Sequence, residues 1–229
     1  MKTAMILAAG RGERLKPLTN KLPKALCAVQ GKPLIEHHLR ALATAGFQRV
    51  IINHAYLGGL IRAQLGTGQH FGLTIQYTPE PPGGLETGGG IVNALPLLGN
   101  EPFVTINADI FTDYPLANLQ LPSSSMVHII LVPKPDYVSQ GDFGLSNVQL
   151  ANTNKLYTFS GIACYRSEIF NICKPGRYSV APLIRQLAEV KRATGELYNG
   201  VWHDIGSRER LMECVSRMKD IDDHVICKV

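Results

Sequence analysis

The chain has 229 residues, of which 45% are hydrophobic and 18% are charged, and its formal net charge is +5. This composition is ordinary for a soluble globular protein. No apolar stretch approaches the roughly 20 residues that cross a membrane, and the first residues show no signal-peptide pattern. We therefore expect one domain over residues 1–229, located in the cytoplasm and without a membrane partner.

The basic residues are scattered along the chain rather than clustered in one stretch. Nucleic-acid-binding domains concentrate Lys and Arg on one face, so we expect no nucleic-acid partner. Several of these cations fall within the single motif described below. An anionic small molecule therefore explains the positive charge as well as DNA would.

The cysteines are widely spaced and form no Cys-x-x-Cys pair: Cys27, Cys164, Cys173, Cys214 and Cys227. Neither a zinc site nor a redox motif is expected from this spacing, and the histidines show no metal-ligand spacing either. We expect reduced thiols with mostly structural roles, as is usual for a cytosolic protein.

Strand-like and helix-like segments alternate along the chain. The predicted strands cover residues 4–7, 50–53, 73–77, 103–107, 126–132, 158–165 and 201–204. The predicted helices cover residues 33–45, 57–65, 88–98, 180–190 and 207–218. This alternation indicates an α/β domain with a mostly parallel central sheet flanked by helices. Ligands of such domains bind at the carboxyl ends of the strands.

The turn after the first strand carries small residues, where a ligand can approach the backbone closely: Ala8, Ala9, Gly10 and Gly12. Two cations, Arg14 and Lys24, follow this turn. Exposed N–H groups beside fixed positive charges suit a polyphosphate. The third glycine of the dinucleotide-binding fingerprint is replaced by Leu15, and the Gly-Lys-Ser/Thr ending of a Walker loop is missing.

The run Gly-x-Gly-x-Arg-x-x-Pro-x-Thr, with Pro23-Lys24 soon after it, closely resembles the signature of the sugar-1-phosphate nucleotidyltransferases. The resemblance implies a Rossmann-like fold of the nucleotide-diphospho-sugar transferase type. It also implies an enzyme that joins a sugar 1-phosphate to a nucleoside triphosphate and releases pyrophosphate.

The resemblance carries over to four catalytic residues. It implies that Lys24 stabilises the α-phosphate during transfer and that Arg14 holds the β- and γ-phosphates. Asp109 and Asp204 match the two aspartates that hold Mg²⁺, although Ala108 precedes Asp109 where relatives usually have glycine. Two carboxylates with phosphate oxygens and waters form the octahedral oxygen site that Mg²⁺ prefers.

Further nucleotide contacts are expected from the backbone of Leu7 through Gly10 and from Gly12. Three glycines inside the run Glu86–Gly90 weaken a helix, whereas a ligand pressed against the backbone would require them. Relatives have a comparable run of small residues beside the base and ribose, so the resemblance implies that Gly88 and Gly89 contact the nucleoside. Glu80 lies where relatives carry a side chain that reads the base. A carboxylate only accepts hydrogen bonds, so Glu80 favours UTP, dTTP or GTP over CTP and ATP, unless it is merely a loop charge.

The residues expected at the sugar are Asn107, Asp142, Ser160 and Gly161. The Glu-Lys-Pro motif that many relatives use at the sugar phosphate is missing, and so is the C-terminal repeat domain that several of them carry.

Both absences resemble the single-domain uridylyltransferase branch of bacterial cell-wall recycling, which implies N-acetylmuramate 1-phosphate and UTP as substrates. The alternatives are a mannose-1-phosphate guanylyltransferase and, in another class, a non-catalytic sensor of nucleotide sugars. A sensor would be expected to lack Arg14, Lys24 or an aspartate.

Overall fold

The computed structural model describes the backbone of residues 1–226 and the side chains of residues 1–218. Its strands are β1 (Thr3–Leu7), β2 (Ala28–Val29), β3 (Lys32–Pro33), β4 (Arg49–His54), β5 (Thr74–Pro79), β6 (Phe103–Asn107), β7 (Ile110–Thr112), β8 (Val127–Pro133), β9 (Gly144–Ser146), β10 (Gln149–Ala151), β11 (Tyr157–Tyr165), β12 (Ala193–Leu197) and β13 (Trp202–Asp204). Its helices are α1 (Leu34–Thr44), α2 (Gly58–Leu65), α3 (Glu86–Leu98), α4 (Ala181–Glu189) and α5 (Arg208–Ile226). Cys227 lies outside the described residues.

The central sheet has nine strands in the order β5-β4-β1-β6-β11-β8-β12-β10-β9. The first four strands of this order are parallel to one another. β11 is antiparallel to both of its neighbours, whereas β12 is parallel to β8. The expected α/β fold is therefore confirmed, with a fully parallel first half and a mixed second half.

The strands of this sheet are apolar because other elements cover both of its faces. Ala4 and Ile6 of β1 pack into one core together with α1, while Met5 packs into a second core together with α3. All three side chains are fully buried. A strand buried on both faces reads as a continuous apolar run rather than an alternating one, as β1 does.

The predicted strands and helices lie within one or two residues of the observed ones, except that the last helix extends to Ile226. The prediction missed β12 and the short strands β2, β3, β7, β9 and β10. β12 has the sequence Ala-Thr-Gly-Glu-Leu, which shows no periodicity, and it forms because β8 and β10 pair with it on either side. Within residues 1–226, none of the helices combines the length and the apolar character that a membrane span requires.

Candidate active site

Two of the predicted site residues, Lys24 and Asp109, meet at the carboxyl ends of β1 and β6. These strands are parallel, and Leu7 lies opposite Asn107. The amide of Ala108 donates to the Leu7 carbonyl at 3.0 Å, which holds the turn after β6 against the turn after β1. Asp109 Oδ2 consequently accepts a hydrogen bond from Lys24 Nζ at 2.5 Å. The Lys24 side chain is only 11% exposed, so this ion pair is largely shielded from solvent.

A small second ladder brings Asp204 to the same point. β13 pairs antiparallel with β7, so that Asp204 lies opposite Ile110, and the Ile205 amide donates to the Asp109 carbonyl at 2.9 Å. Burial, followed by the negative charge of Asp109, raises the pKa of the Asp204 carboxyl. The two predicted metal ligands, 95 positions apart in the sequence (204 minus 109), are thus electrostatic neighbours.

Two guanidinium groups converge on Asp204. Arg210 Nη1 is hydrogen-bonded to Asp204 Oδ2, and the positive charges of Arg210 and Arg14 both favour the ionised form of this carboxyl. A Cβ atom on Gly206 would lie 2.7 Å from Arg210 Nη1 and 3.0 Å from Arg14 Nη2. A glycine at this position therefore leaves room for both cations beside the carboxylate.

The donor set fits a magnesium ion. Within residues 1–218, no group of three or more His, Cys, Asp or Glu side chains converges as a ready-made metal cage. Mg²⁺ is usually held by one or two carboxylates together with substrate phosphates and waters, which two neighbouring aspartates can satisfy. Asp109 and Asp204 are the residues that would hold the ion.

The turn after β1 borders a cavity of about 320 Å³ that also reaches Asp109; its lining includes Leu7, Gly10, Arg11, Gly84, Asn107 and Asp109. We call it the first cavity. A Cβ atom on Gly10 would meet nothing within 4 Å, so the turn presents open backbone there. Gly12 has a φ of +69°, and its carbonyl accepts from Thr19 Oγ1 at 2.8 Å, so this glycine closes the loop.

Glu80, the predicted base reader, is hydrogen-bonded within the protein. It is only 9% exposed. Its Oε1 accepts from Asn53 Nδ2 at 2.6 Å and its Oε2 from the Leu85 amide at 2.7 Å. Asn53 Oδ1 in turn accepts from the Ala8 amide at 2.8 Å. Glu80 therefore fixes the backbone around the first cavity, and its assignment as a base reader stays a prediction.

The glycine run of α3 also has a structural reason. The amides of Gly88 and Gly89 both donate to the Tyr178 carbonyl, at 2.9 and 3.1 Å. A Cβ atom on Gly89 would lie 1.9 Å from the Gly176 carbonyl oxygen. The segment before α4 crosses the start of α3 so closely that only glycine fits. These glycines therefore have a packing role within the protein, and their contact with the nucleoside stays a prediction.

Three of the predicted sugar residues lie together where the pairing of β11 with β8 shifts, between Phe159 and Ala163. Gly161 has a φ of +91°, and its Cβ would lie 2.8 Å from Asn107 Nδ2. Ser160 is only 1% exposed, so its hydroxyl is not open to a ligand, and its carbonyl accepts from Trp202 Nε1 at 2.9 Å. The contact of this segment with the sugar stays a prediction.

The fourth predicted sugar residue, Asp142, supports the same irregular part of β11. Its Oδ2 accepts from the Phe159 amide at 2.9 Å, next to the irregular part of β11. The side chain is only partly buried, so it keeps access to solvent. Its contact with a sugar stays a prediction.

A second cavity, of about 530 Å³, borders Asp204; its lining includes Lys134, Tyr137, Trp202, Asp204, Arg210 and Arg217. Asp109 lines the first cavity and Asp204 lines the second, so the pair of carboxylates lies between them. The sequence analysis missed Arg210, Tyr137 and Asn53. Only Asn53 had a readable signal, because it is an amide at the end of a buried strand.

Comparisons with known proteins agree with this geometry. The family described as Nucleotidyl transferase matches residues 3–136. The N-acetylmuramate alpha-1-phosphate uridylyltransferase of Neisseria meningitidis is 45% identical, covering 92% of this chain and 95% of that protein. The protein of the same name from Caulobacter vibrioides is 32% identical, covering 96% of this chain and 98% of its own length. A UDP-glucose pyrophosphorylase complexed with UDP-glucose has the same fold, with a TM-score of 0.77, 21% identity and coverage of 96% of this chain and 99% of its own.

Proposed function

The chain belongs to the nucleotidyl transferase family, and on this premise we propose that it transfers the uridylyl group of UTP to N-acetylmuramate α-1-phosphate. The products are the UDP-sugar and pyrophosphate. Relatives with this activity in their names match nearly the whole chain, at 45% and 32% identity. The observation that carries the proposal is the ion pair of Lys24 with Asp109, with Asp204 as its neighbour, between two cavities.

The first cavity is assigned to UTP. Its floor is the turn after β1, where open backbone at Gly10 allows close approach of a phosphate chain. Lys24 lies near this turn and beside Asp109, and we assign it to the α-phosphate. Arg14 lies beside Asp204 on the solvent side, and we assign it to the β- and γ-phosphates, which leave as pyrophosphate.

The acceptor sugar is assigned to the space between the two cavities, bordered by Asn107, Gly161 and Trp202. Asn107 lines the first cavity, and Trp202 lines the second. The amide of Asn107 and the indole offer a polar and an apolar surface, which suits a sugar ring. The base is then left to backbone groups around Gly83 and Gly84, because Glu80 is engaged elsewhere.

The reaction needs charge stabilisation more than proton transfer. An oxygen of the sugar phosphate bonds to the α-phosphorus of UTP, and the bond from this phosphorus to the bridging oxygen breaks. The attacking group is already ionised near neutral pH, because its second pKa is about 6. Lys24 stabilises the added charge at the α-phosphate. Mg²⁺ held by Asp109 and Asp204 would neutralise phosphate charge.

A pyrophosphate-release assay tests this proposal. The purified protein is incubated with Mg²⁺, each common nucleoside triphosphate, and the 1-phosphates of N-acetylmuramate, glucose, mannose and N-acetylglucosamine. The largest kcat/KM is expected for N-acetylmuramate α-1-phosphate with UTP. Asp109→Asn, purified in the same way, controls for contaminating enzymes. The proposed setting is cell-wall recycling in the cytoplasm.

Two results would contradict the proposal in different ways. A preference for mannose 1-phosphate with GTP would keep the enzyme class and make the protein a guanylyltransferase. The absence of pyrophosphate release with every pair of substrates would support a sensor of nucleotide sugars.

A further inference from the structure

Arg210 lies at the reaction centre but has no role in the assignment above. It sits in the first turn of α5, and its Nη1 donates to Asp204 Oδ2. Its guanidinium also stacks on the Tyr137 ring, with the central carbon 3.7 Å from the ring centroid. The Arg210 side chain is only 22% exposed, although Tyr137 itself is half exposed. Two separate contacts thus hold this cation in one orientation.

The centre carries one more cation than its carboxylates neutralise. Lys24, Arg14 and Arg210 gather around Asp109 and Asp204. Like charges held this close in a partly buried site favour binding of an additional anion. A guanidinium has five N–H donors, and the contact with Asp204 uses one nitrogen, so the others can bind a phosphate.

The position of Arg210 selects which phosphate it binds. Arg210 and Asp204 line the second cavity, whereas neither of them lines the first cavity, which the turn after β1 borders. The other two cations of the second cavity are engaged elsewhere. Lys134 Nζ donates to the Val138 carbonyl at 2.7 Å, and Arg217 Nη2 pairs with Glu213 at 2.7 Å. Arg210 is therefore the cation of this cavity that faces the reaction centre.

We propose that Arg210 is a further substrate-binding residue, which binds the phosphate of the sugar 1-phosphate. The Tyr137 ring, on which its guanidinium stacks, keeps that group in the orientation for binding. This inference rests on the proposed function, since it requires a sugar 1-phosphate as acceptor. Arg210 would hold the attacking phosphate next to Asp204, and Lys24 would act on the α-phosphate from the side of Asp109.

The test compares Arg210→Met with Arg217→Met, a matched control two turns further along α5 that lines the same cavity. Steady-state kinetics with UTP and N-acetylmuramate α-1-phosphate give a KM for each substrate. Arg210→Met should raise the KM for the sugar 1-phosphate about 10- to 100-fold, the range expected for losing hydrogen bonds to a charged group. The KM for UTP should change less than about twofold on the same reasoning, and Arg217→Met should leave both KM values near those of the wild type.

A structural role for Arg210 predicts other results. If the arginine merely anchored α5, Arg210→Met would lower the thermal midpoint and alter both KM values together. Tyr137→Leu should raise the KM for the sugar 1-phosphate in the same direction but by less, and Tyr137→Phe, which keeps the ring, by less again.

Three outcomes would overturn the proposal. They are a rise confined to the KM for UTP, equal effects of Arg210→Met and Arg217→Met, and no change in either KM. Wild-type protein that turned over no sugar 1-phosphate at all would contradict the proposed function before any variant was compared. The two failures are therefore distinguishable.

Discussion

Asn53 and Glu80 are joined by a buried hydrogen bond of 2.6 Å from Asn53 Nδ2 to Glu80 Oε1. Asn53 also accepts from the Ala8 amide, and Glu80 also accepts from the Leu85 amide. The pair therefore ties the turn after β1 to the loop before α3, across the end of β4. We therefore expect the effect of Glu80 on the nucleotide to be transmitted through the backbone that it holds.

Glu80→Gln should weaken binding of every nucleoside triphosphate to a similar extent. The carboxylate accepts from two donors, and an amide offers only one acceptor oxygen, so its NH₂ group would face a donor. A buried donor left unpaired costs about 1–3 kcal/mol, so the free energy of unfolding should fall by this amount. Urea unfolding measures the loss of stability, and KM values for UTP, GTP and CTP measure the loss of nucleotide binding. A changed ratio among these KM values at normal stability would contradict this expectation and support Glu80 as a base reader.

Lys24→Ala should lower kcat by about 10²–10³-fold and affect the KM for UTP much less. This is the scale seen for a single preorganised electrostatic group that acts mainly in the transition state. Lys21→Ala is the matched control, because Lys21 lies in the same loop and is exposed. A raised KM with unchanged kcat would make Lys24 a ground-state binder and contradict the role assigned to it.

Asp109→Asn and Asp204→Asn should each nearly abolish turnover while the fold stays intact. An amide keeps the shape of the side chain but removes the anionic charge that a Mg²⁺ ligand supplies. Pyrophosphate release, measured over a series of Mg²⁺ concentrations, tests the loss, and circular dichroism checks the fold. Turnover close to that of the wild type in either variant would remove that residue from the metal site.

Buried His38 predicts a loss of stability in acid. It is 3% exposed, and its Nε2 has no hydrogen-bond partner within residues 1–218. Burial lowers the pKa of His38 from 6.5 to about 4. The folded state therefore binds fewer protons than the unfolded state between these values, so stability falls as the pH drops from 6.5 towards 4.

The expected loss from His38 between pH 7 and pH 5 is about 2 kcal/mol. Urea unfolding at both pH values, in wild type and in His38→Leu, isolates this contribution from those of the other histidines. His38→Leu should show a pH dependence smaller by this amount. His70→Gln, which changes an exposed histidine, should behave like the wild type. Identical pH dependence in wild type and His38→Leu would contradict the depressed pKa.

The sequence was sufficient to predict the convergence of Asp109 with the turn after β1. Both lie at the carboxyl ends of parallel strands, where the fold itself brings side chains together. Asp204 was assigned to the site only through the family resemblance, since the short strands β7 and β13 show no sequence pattern that predicts their pairing. Arg210 could not be predicted, because a cation in the first turn of an amphipathic helix looks like any exposed residue.

The protein partners of Glu80, Gly88 and Gly89 could not be predicted from the sequence, for one physical reason. A small residue leaves room for a neighbouring protein segment as readily as for a ligand, and a carboxylate accepts hydrogen bonds from either. The residue type therefore does not distinguish the two. The segment that presses on Gly89 includes Gly176, which lies 87 positions further along the sequence (176 minus 89). Only the tertiary structure identifies such a partner.

A competition experiment tests the central claim most directly. Equal concentrations of UTP and GTP are mixed with equal concentrations of N-acetylmuramate α-1-phosphate and mannose 1-phosphate, and Mg²⁺ and the wild-type protein are added. The nucleotide sugars formed are identified by mass, and their ratio gives the ratio of kcat/KM values. The account predicts UDP-N-acetylmuramate as the dominant product. GDP-mannose as the dominant product would contradict it.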